Sequence, residues 1–177
     1  CMAGKHQEAF DNVYLDRIHR GSEQYIMGKL GATGVNLSCL SSFFDILWGK
    51  PVSGLDDNSK SFVLRWAGFT LRALGRISEA VQPAKEVLEA SKKDKSWDGV
   101  SVDATHIAEL NLMLGDVASA QTYGEQAVTF ADRSGDEWQK IGRRTIFAKV
   151  LHQFGDFVKS KTIFNDAESI IHKAGYT

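Results

Sequence analysis

A Leu-Gly dipeptide recurs along this 177-residue chain at nearly fixed intervals: Leu30-Gly31, Leu74-Gly75 and Leu114-Gly115, then once more as Phe154-Gly155. The glycines at 31, 75, 115 and 155 stand 44, 40 and 40 residues apart. A period of this size marks a solenoid of stacked supersecondary units, because each unit buries its apolar face only against its neighbours. The last three periods align around their glycines. Seven residues before each glycine stands a small residue, Gly68, Ala108 or Ala148, and five after it another, Ala80, Ala120 or Ser160. The positions two after are apolar (Ile77, Val117, Phe157), and those twelve after are Val87, Ala127 and Ala167. Small residues facing each other on two helices allow close backbone approach, and the central glycine suits a tight, left-handed turn between them.

This register resembles the tetratricopeptide-repeat (TPR) family over residues 57–175. The triplets Gly68-Gly75-Ala80, Ala108-Gly115-Ala120 and Ala148-Gly155-Ser160 carry the resemblance. The chain departs from the family in period, 40 instead of 34 residues, and in the large residue expected eleven before the glycine, here Leu64, Ala104 and Arg144. Asn111 stands where an apolar residue is usual. The longer period resembles that of the long-helix TPRs in bacterial signalling proteins. The resemblance implies an all-α fold, a right-handed solenoid of antiparallel helical hairpins.

The pattern predicts about eight helices, at 6–29, 35–47, 57–74, 77–94, 97–114, 117–133, 137–154 and 157–173. Residues 1–54 form a degenerate first hairpin and linker, and 55–177 three TPR-like hairpins in one continuous domain. Asp56 or Asp57 caps the third helix, and Asp136 with Gln139 resembles a capping box. Pro83 predicts a kink or a later helix start, since proline removes a helical hydrogen bond.

Composition excludes several functions. Net charge is −1 with both signs scattered, which gives no electrostatic footprint for nucleic acid or an anionic membrane. The short basic clusters Lys92-Lys93-Lys95 and Arg143-Arg144 read as solvated helix ends. The longest apolar stretch, Cys39 to Trp48, is too short for a span of about 20 residues. Cys1 and Cys39 make neither a disulfide framework nor a metal motif, and Cys39 reads as a buried thiol. The lack of a signal-peptide pattern points to the cytoplasm. The start at Cys1 suggests an excised fragment. None of the five histidines has metal-ligand spacing, Glu168 and His172 alone do not make a site, and none of the three Gly-Lys pairs has the upstream glycine of a phosphate loop. The expectation is a non-enzyme without a cofactor or metal.

In the family the first helix of each hairpin lines a concave groove. The resemblance places there Arg65, Trp66, Phe69 and Arg72, then Thr105, His106, Glu109 and Leu112, then Thr145, Ile146, Lys149 and His152. The partner-binding set expected is Arg65, Trp66, Phe69, Arg72, His106, Glu109, Lys149 and His152, since Arg and aromatic side chains carry binding hot spots. The plainer alternative pairs Glu109 with Lys149 and packs Trp66 and Ile146 between helices. The positions that clamp chaperone tails in the family carry Arg65, Phe69, His106, Gly142 and Ile146 instead of its Lys and Asn pattern, so that activity is not implied.

Two functions fit: a scaffold that binds a protein or peptide, and a sensor or regulatory arm of a larger signalling ATPase or effector. An enzyme with an unrecognised site is the remote third. The apolar residues of the final helix, Ile163, Phe164, Ala167, Ile170 and Ile171, predict self-association through the last hairpin or a longer native chain that continues the stack. At the other end, Phe43, Phe44, Ile46, Leu47 and Trp48 supply core for the first hairpin.

Overall fold

A computed structural model describes residues 4–175, so Cys1 lies outside the described residues. Among the described residues the fold is helical apart from one two-stranded hairpin. The helices are α1 (His6–Ala9), α2 (Tyr25–Gly28), α3 (Thr33–Ser41), α4 (Asp57–Ala73), α5 (Ile77–Lys93), α6 (Trp97–Met113), α7 (Val117–Ser134), α8 (Glu137–Phe154) and α9 (Phe157–Ala174). The strands are β1 (Phe44–Ile46) and β2 (Lys50–Pro51). Two compact units divide the chain, Cys1–Val87 and Leu88–Thr177.

The six long helices keep the expected bounds to within one residue at either end. Four of the five turns that join them share one chemistry. Gly115 has φ +78, its N–H donates to Leu112 O at 3.1 Å, and the Asp116 N–H reaches back to Asn111 O at 2.9 Å. These two bonds satisfy carbonyls that the helix end would otherwise orphan. The same pair recurs as Gly75 to Arg72 with Arg76 to Leu71, and as Gly155 to His152 with Asp156 to Leu151. At the 94–96 turn Lys95 takes the glycine's place at φ +54, with Lys95 bonding Lys92 O and Ser96 bonding Ser91 O. α7, α8 and α9 each start on an aspartate cap: Asp116 accepts from Ser119 N–H, Asp136 from Gln139 N–H and Asp156 from Lys159 N–H. Asp56 caps α4 in the same way, and the Ser59 N–H bond holds its carboxyl below the usual carboxylate range. Gly115→Ala puts a Cβ into left-handed backbone and is expected to cost about 1–2 kcal/mol; equilibrium denaturation reads it directly.

The small-residue register is explained by contact. A Cβ on Gly68 would lie 3.7 Å from Ala80 O and from Pro83 Cγ, so α4 and the start of α5 approach closely there. Pro83 sits inside a helix that begins at Ile77, so the later helix start that Pro83 predicted is not seen. In the last hairpin the Ser160 hydroxyl donates to Ala148 O at 2.7 Å across the interface, so a hydroxyl bonds where alanine merely packs. Within the C-terminal unit α6 packs on α7, α7 on α8 and α8 on α9, and α6 also meets α8. That is the repeat-like packing of successive helices. Asn111 is buried in α6 because its amide donates to Ile107 O at 2.9 Å. Arg144, at the position of the missing large residue, makes a fork with Asp132 of α7 at 2.8 and 3.0 Å.

The first 54 residues differ from the expected hairpin. The helix predicted over 6–29 is short α1, then a π-helix over Phe10–His19, a 3-10 turn over Gly21–Glu23, and α2. Arg20 and Gln24 take left-handed backbone at φ +58 and +48 and interrupt it. The π register shows in the Arg20 N–H, which reaches Leu15 O five residues back. The helix predicted over 35–47 ends at Ser41, and β1 pairs antiparallel with β2 after it. Phe44 and Ile46, residue types enriched in strands, flank Asp45 in β1, and Trp48 turns the chain at φ +62. Phe43 and Trp48 go into the core while Ile46 and Leu47 remain exposed. The Trp48 indole also donates to Glu79 of α5, whose carboxyl is held low mainly by the Arg76 guanidinium. The core of this unit joins Phe10, Tyr14, Leu40, Phe43, Val52, Leu55 and Val63. A buried polar chain crosses it: Tyr14 Oη donates to Asn36 Oδ1 at 2.9 Å and Asn36 Nδ2 to Thr70 Oγ1 at 3.1 Å.

Candidate interaction face

The eight residues predicted to line a groove are divided between the two units. In the N-terminal unit Arg65 and Phe69 are exposed on α4, and Arg72 is half-buried. Trp66 is half-buried and packs edge-on to His19 at 4.5 Å and to Phe69 at 5.5 Å, so much of its surface serves the unit's aromatic core. In the C-terminal unit His106 and Lys149 are exposed, and Glu109 is half-buried. His152 is exposed at the end of α8, where its ring meets Phe157 of α9 edge-on at 5.0 Å.

Between α6 and α8 the structure adds residues that the spacing did not single out. The Ser101 hydroxyl approaches Gln139 Oε1 at 3.5 Å, and Gln139 Oε1 accepts from Arg143 Nε at 3.1 Å. Burial pulls the Arg143 guanidinium below its usual range, and the charge of Glu109 opposes that. Glu109 therefore faces Arg143 across the helix pair. This corrects the reading of Arg143-Arg144 as a solvated helix end: both lie inside α8, one beside Glu109 and the other forked onto Asp132.

The solvent side of α8 carries Trp138, Gly142, Thr145, Lys149 and His152 at helical i, i+4, i+7 spacing. Trp138 is 66% exposed. Gly142 has nothing within 4 Å of where a Cβ would stand. A mid-helix glycine costs about 1 kcal/mol relative to alanine, and here packing does not account for it, because no neighbour fills the space. Exposed Trp138, the open position at Gly142 and exposed Lys149 therefore lie along one face of α8.

A concavity of the same unit lies on the return-helix side. Lys92, Thr122, Glu125, Gln126, Thr129 and Phe130 line about 430 Å³ of open space. Beside it Arg133 lies over the Trp97 ring at 4.1 Å, and Trp97 stacks on Phe130 at 5.6 Å. The register from the family gave no reason to look there.

Among the described residues no three His, Cys, Asp or Glu side chains come together as a metal set, and no helix is long and apolar enough to cross a membrane. Cys39 is half-buried, and burial pushes its thiol up, away from the reactive thiolate. No protein-family model and no curated protein matches the chain.

Proposed function

We propose that this chain is a binding module, a right-handed TPR-like helical repeat that takes a peptide or partner helix on the first-helix side of its C-terminal hairpins. The observation that carries the reading is the open face of α8. An exposed tryptophan, an uncovered mid-helix glycine and an exposed lysine share one face of a rigid helix. Tryptophan is enriched among binding hot spots, and glycine lets a ligand backbone come close. The adjoining Gln139, Arg143 and Glu109 supply hydrogen-bonding groups already held in place, which lowers the ordering cost of association. In the N-terminal unit, Arg65 and Phe69 offer a separate exposed set on α4.

The return-helix groove of about 430 Å³ favours a second reading, in which the ligand lies on the α7 side. A random-peptide phage library panned on the full chain separates the two. For a recovered peptide, Trp138→Ala with Lys149→Glu is expected to weaken binding at least about tenfold, the scale of one hot-spot residue. Thr122→Glu with Thr129→Glu is expected to leave affinity within about twofold. The reverse pattern moves the site to the α7 groove.

A further inference from the structure

His19 ends the π-helix over Phe10–His19 and is only 2% exposed. Its ring stacks on Tyr14 at 5.9 Å and meets Phe62 and Trp66 of α4 edge-on at 5.3 and 4.5 Å. Its Nδ1 is buried without a hydrogen-bond partner. An orphaned buried polar atom is uncommon, and so is π-helix of more than a turn; both gather at functional sites. Directly after the ring the backbone runs through left-handed Arg20 and Gln24, a cost that persists only while surrounding packing holds the segment. Ring, strained exit and π register thus meet in one place.

We propose that His19 is an acid-released latch: protonation of its buried ring drives it out from between Tyr14 and Trp66, frees the segment over residues 10–24, and uncovers the aromatic surface of α4 beneath it. A charged imidazole in this cage has aromatic neighbours and no carboxylate to pair with. The groups around it can be named element by element. On its own helix, Tyr14 is neutral and hydrogen-bonded to Asn36, while Asp16 and Arg17 are exposed. Beyond it, Arg20 lies over the Tyr25 ring at 3.9 Å. On α4, Phe62 and Trp66 carry no charge, and Arg65 is exposed. On α3, Cys39 acts on Tyr14, which burial already holds protonated. Burial alone lowers the His19 imidazole below its usual value of 6.5. The sign follows. The neutral ring is favoured in the folded state, so the unfolded state binds more protons below pH 6.5. Stability of the segment is full above that pH and falls as pH drops from 6.5 toward the depressed folded value. The uncovered face would present Phe62 and Trp66 beside the already exposed Phe69, an apolar surface created only in acid.

The test is amide hydrogen exchange on the full chain, corrected for the intrinsic pH dependence of exchange. Between pH 7.5 and about pH 5, protection over residues 10–24 is expected to fall at least about tenfold, while Trp97–Met113 keeps its protection. His19→Phe, which fills the cage without a titrating group, is expected to abolish the fall. Undiminished protection in the wild type, or an equal fall in His19→Phe, overturns the latch. Should His19→Phe fail to fold, proton NMR of the wild-type His19 ring decides. A ring that titrates near 6.5 with the native spectrum intact overturns the proposal, and one that stays neutral until the segment opens supports it.

Discussion

Asn36→Ala is expected to lower stability by about 3 kcal/mol. Asn36 is fully buried and joins three segments. Its Oδ1 accepts from the Tyr14 hydroxyl of the π-helix, and its Nδ2 donates to Thr70 Oγ1 of α4 and lies 3.1 Å from Met27 Sδ. The Thr70 hydroxyl in turn donates to Trp66 O at 2.6 Å. Removing the amide leaves the Tyr14 hydroxyl as a buried donor with no acceptor, and one such group costs about 1–3 kcal/mol. The cavity left by the side chain adds to that. Urea denaturation followed by circular dichroism measures the sum. A double-mutant cycle with Tyr14→Phe isolates the bond: removing the hydroxyl should cost less in the Asn36→Ala background than in the wild type, by about 1 kcal/mol. Additive losses would show that the bond contributes nothing net.

Gly124→Val is expected to cost about 3 kcal/mol through overpacking. A Cβ at position 124 would lie 2.6 Å from Phe147 Cδ2 and 3.3 Å from Cε2. The Phe147 ring is 2% exposed and sits in a cluster with Ala120, Val150 and Leu151, so it has no room to withdraw. Valine adds two further methyl groups and a restricted rotamer within α7. The neighbouring Glu125→Ala supplies the control. Glu125 is exposed, and its pairing with Lys159 at 3.6 Å is a surface contact, so its loss should cost under about 0.5 kcal/mol. Equal midpoints for the two variants would put the wrong face of α7 against α8.

The parts of this fold that were legible in the sequence are those fixed by local chemistry repeated in register. Gly75, Gly115 and Gly155 announce left-handed helix ends, and Ala108 and Ala120 announce close helix contacts, because only small residues permit them. Each signal appears three times, so noise in one copy is corrected by the others. Residues 5–54 have no second copy to compare. The apolar pattern from Phe10 to Ile26 is helical in spacing, yet tertiary burial of Phe10, Tyr14 and His19 on one side winds it into the wider π register. The run from Phe43 to Trp48 is equally apolar as helix or strand, and length alone did not separate the two. On the proposed face, Lys149 and His106 were placed by register alone, and the structure leaves both exposed. Trp138, Gly142 and Arg143 were not, since an exposed tryptophan and an uncovered glycine differ from buried ones only once the neighbouring helices are in place. The basic pair Arg143-Arg144 misled because adjacent residues on a helix point to different neighbours.

The most direct test of the proposed binding face is photo-crosslinking of a library-selected peptide to the full chain. A benzophenone side chain is placed at position 145, between Gly142 and Lys149 on the open side of α8, or at position 129 in the α7 groove. Crosslinking from position 145, lost on adding excess unlabelled peptide, is the expected result. Crosslinking from position 129 alone would contradict the placement of the ligand on the first-helix side.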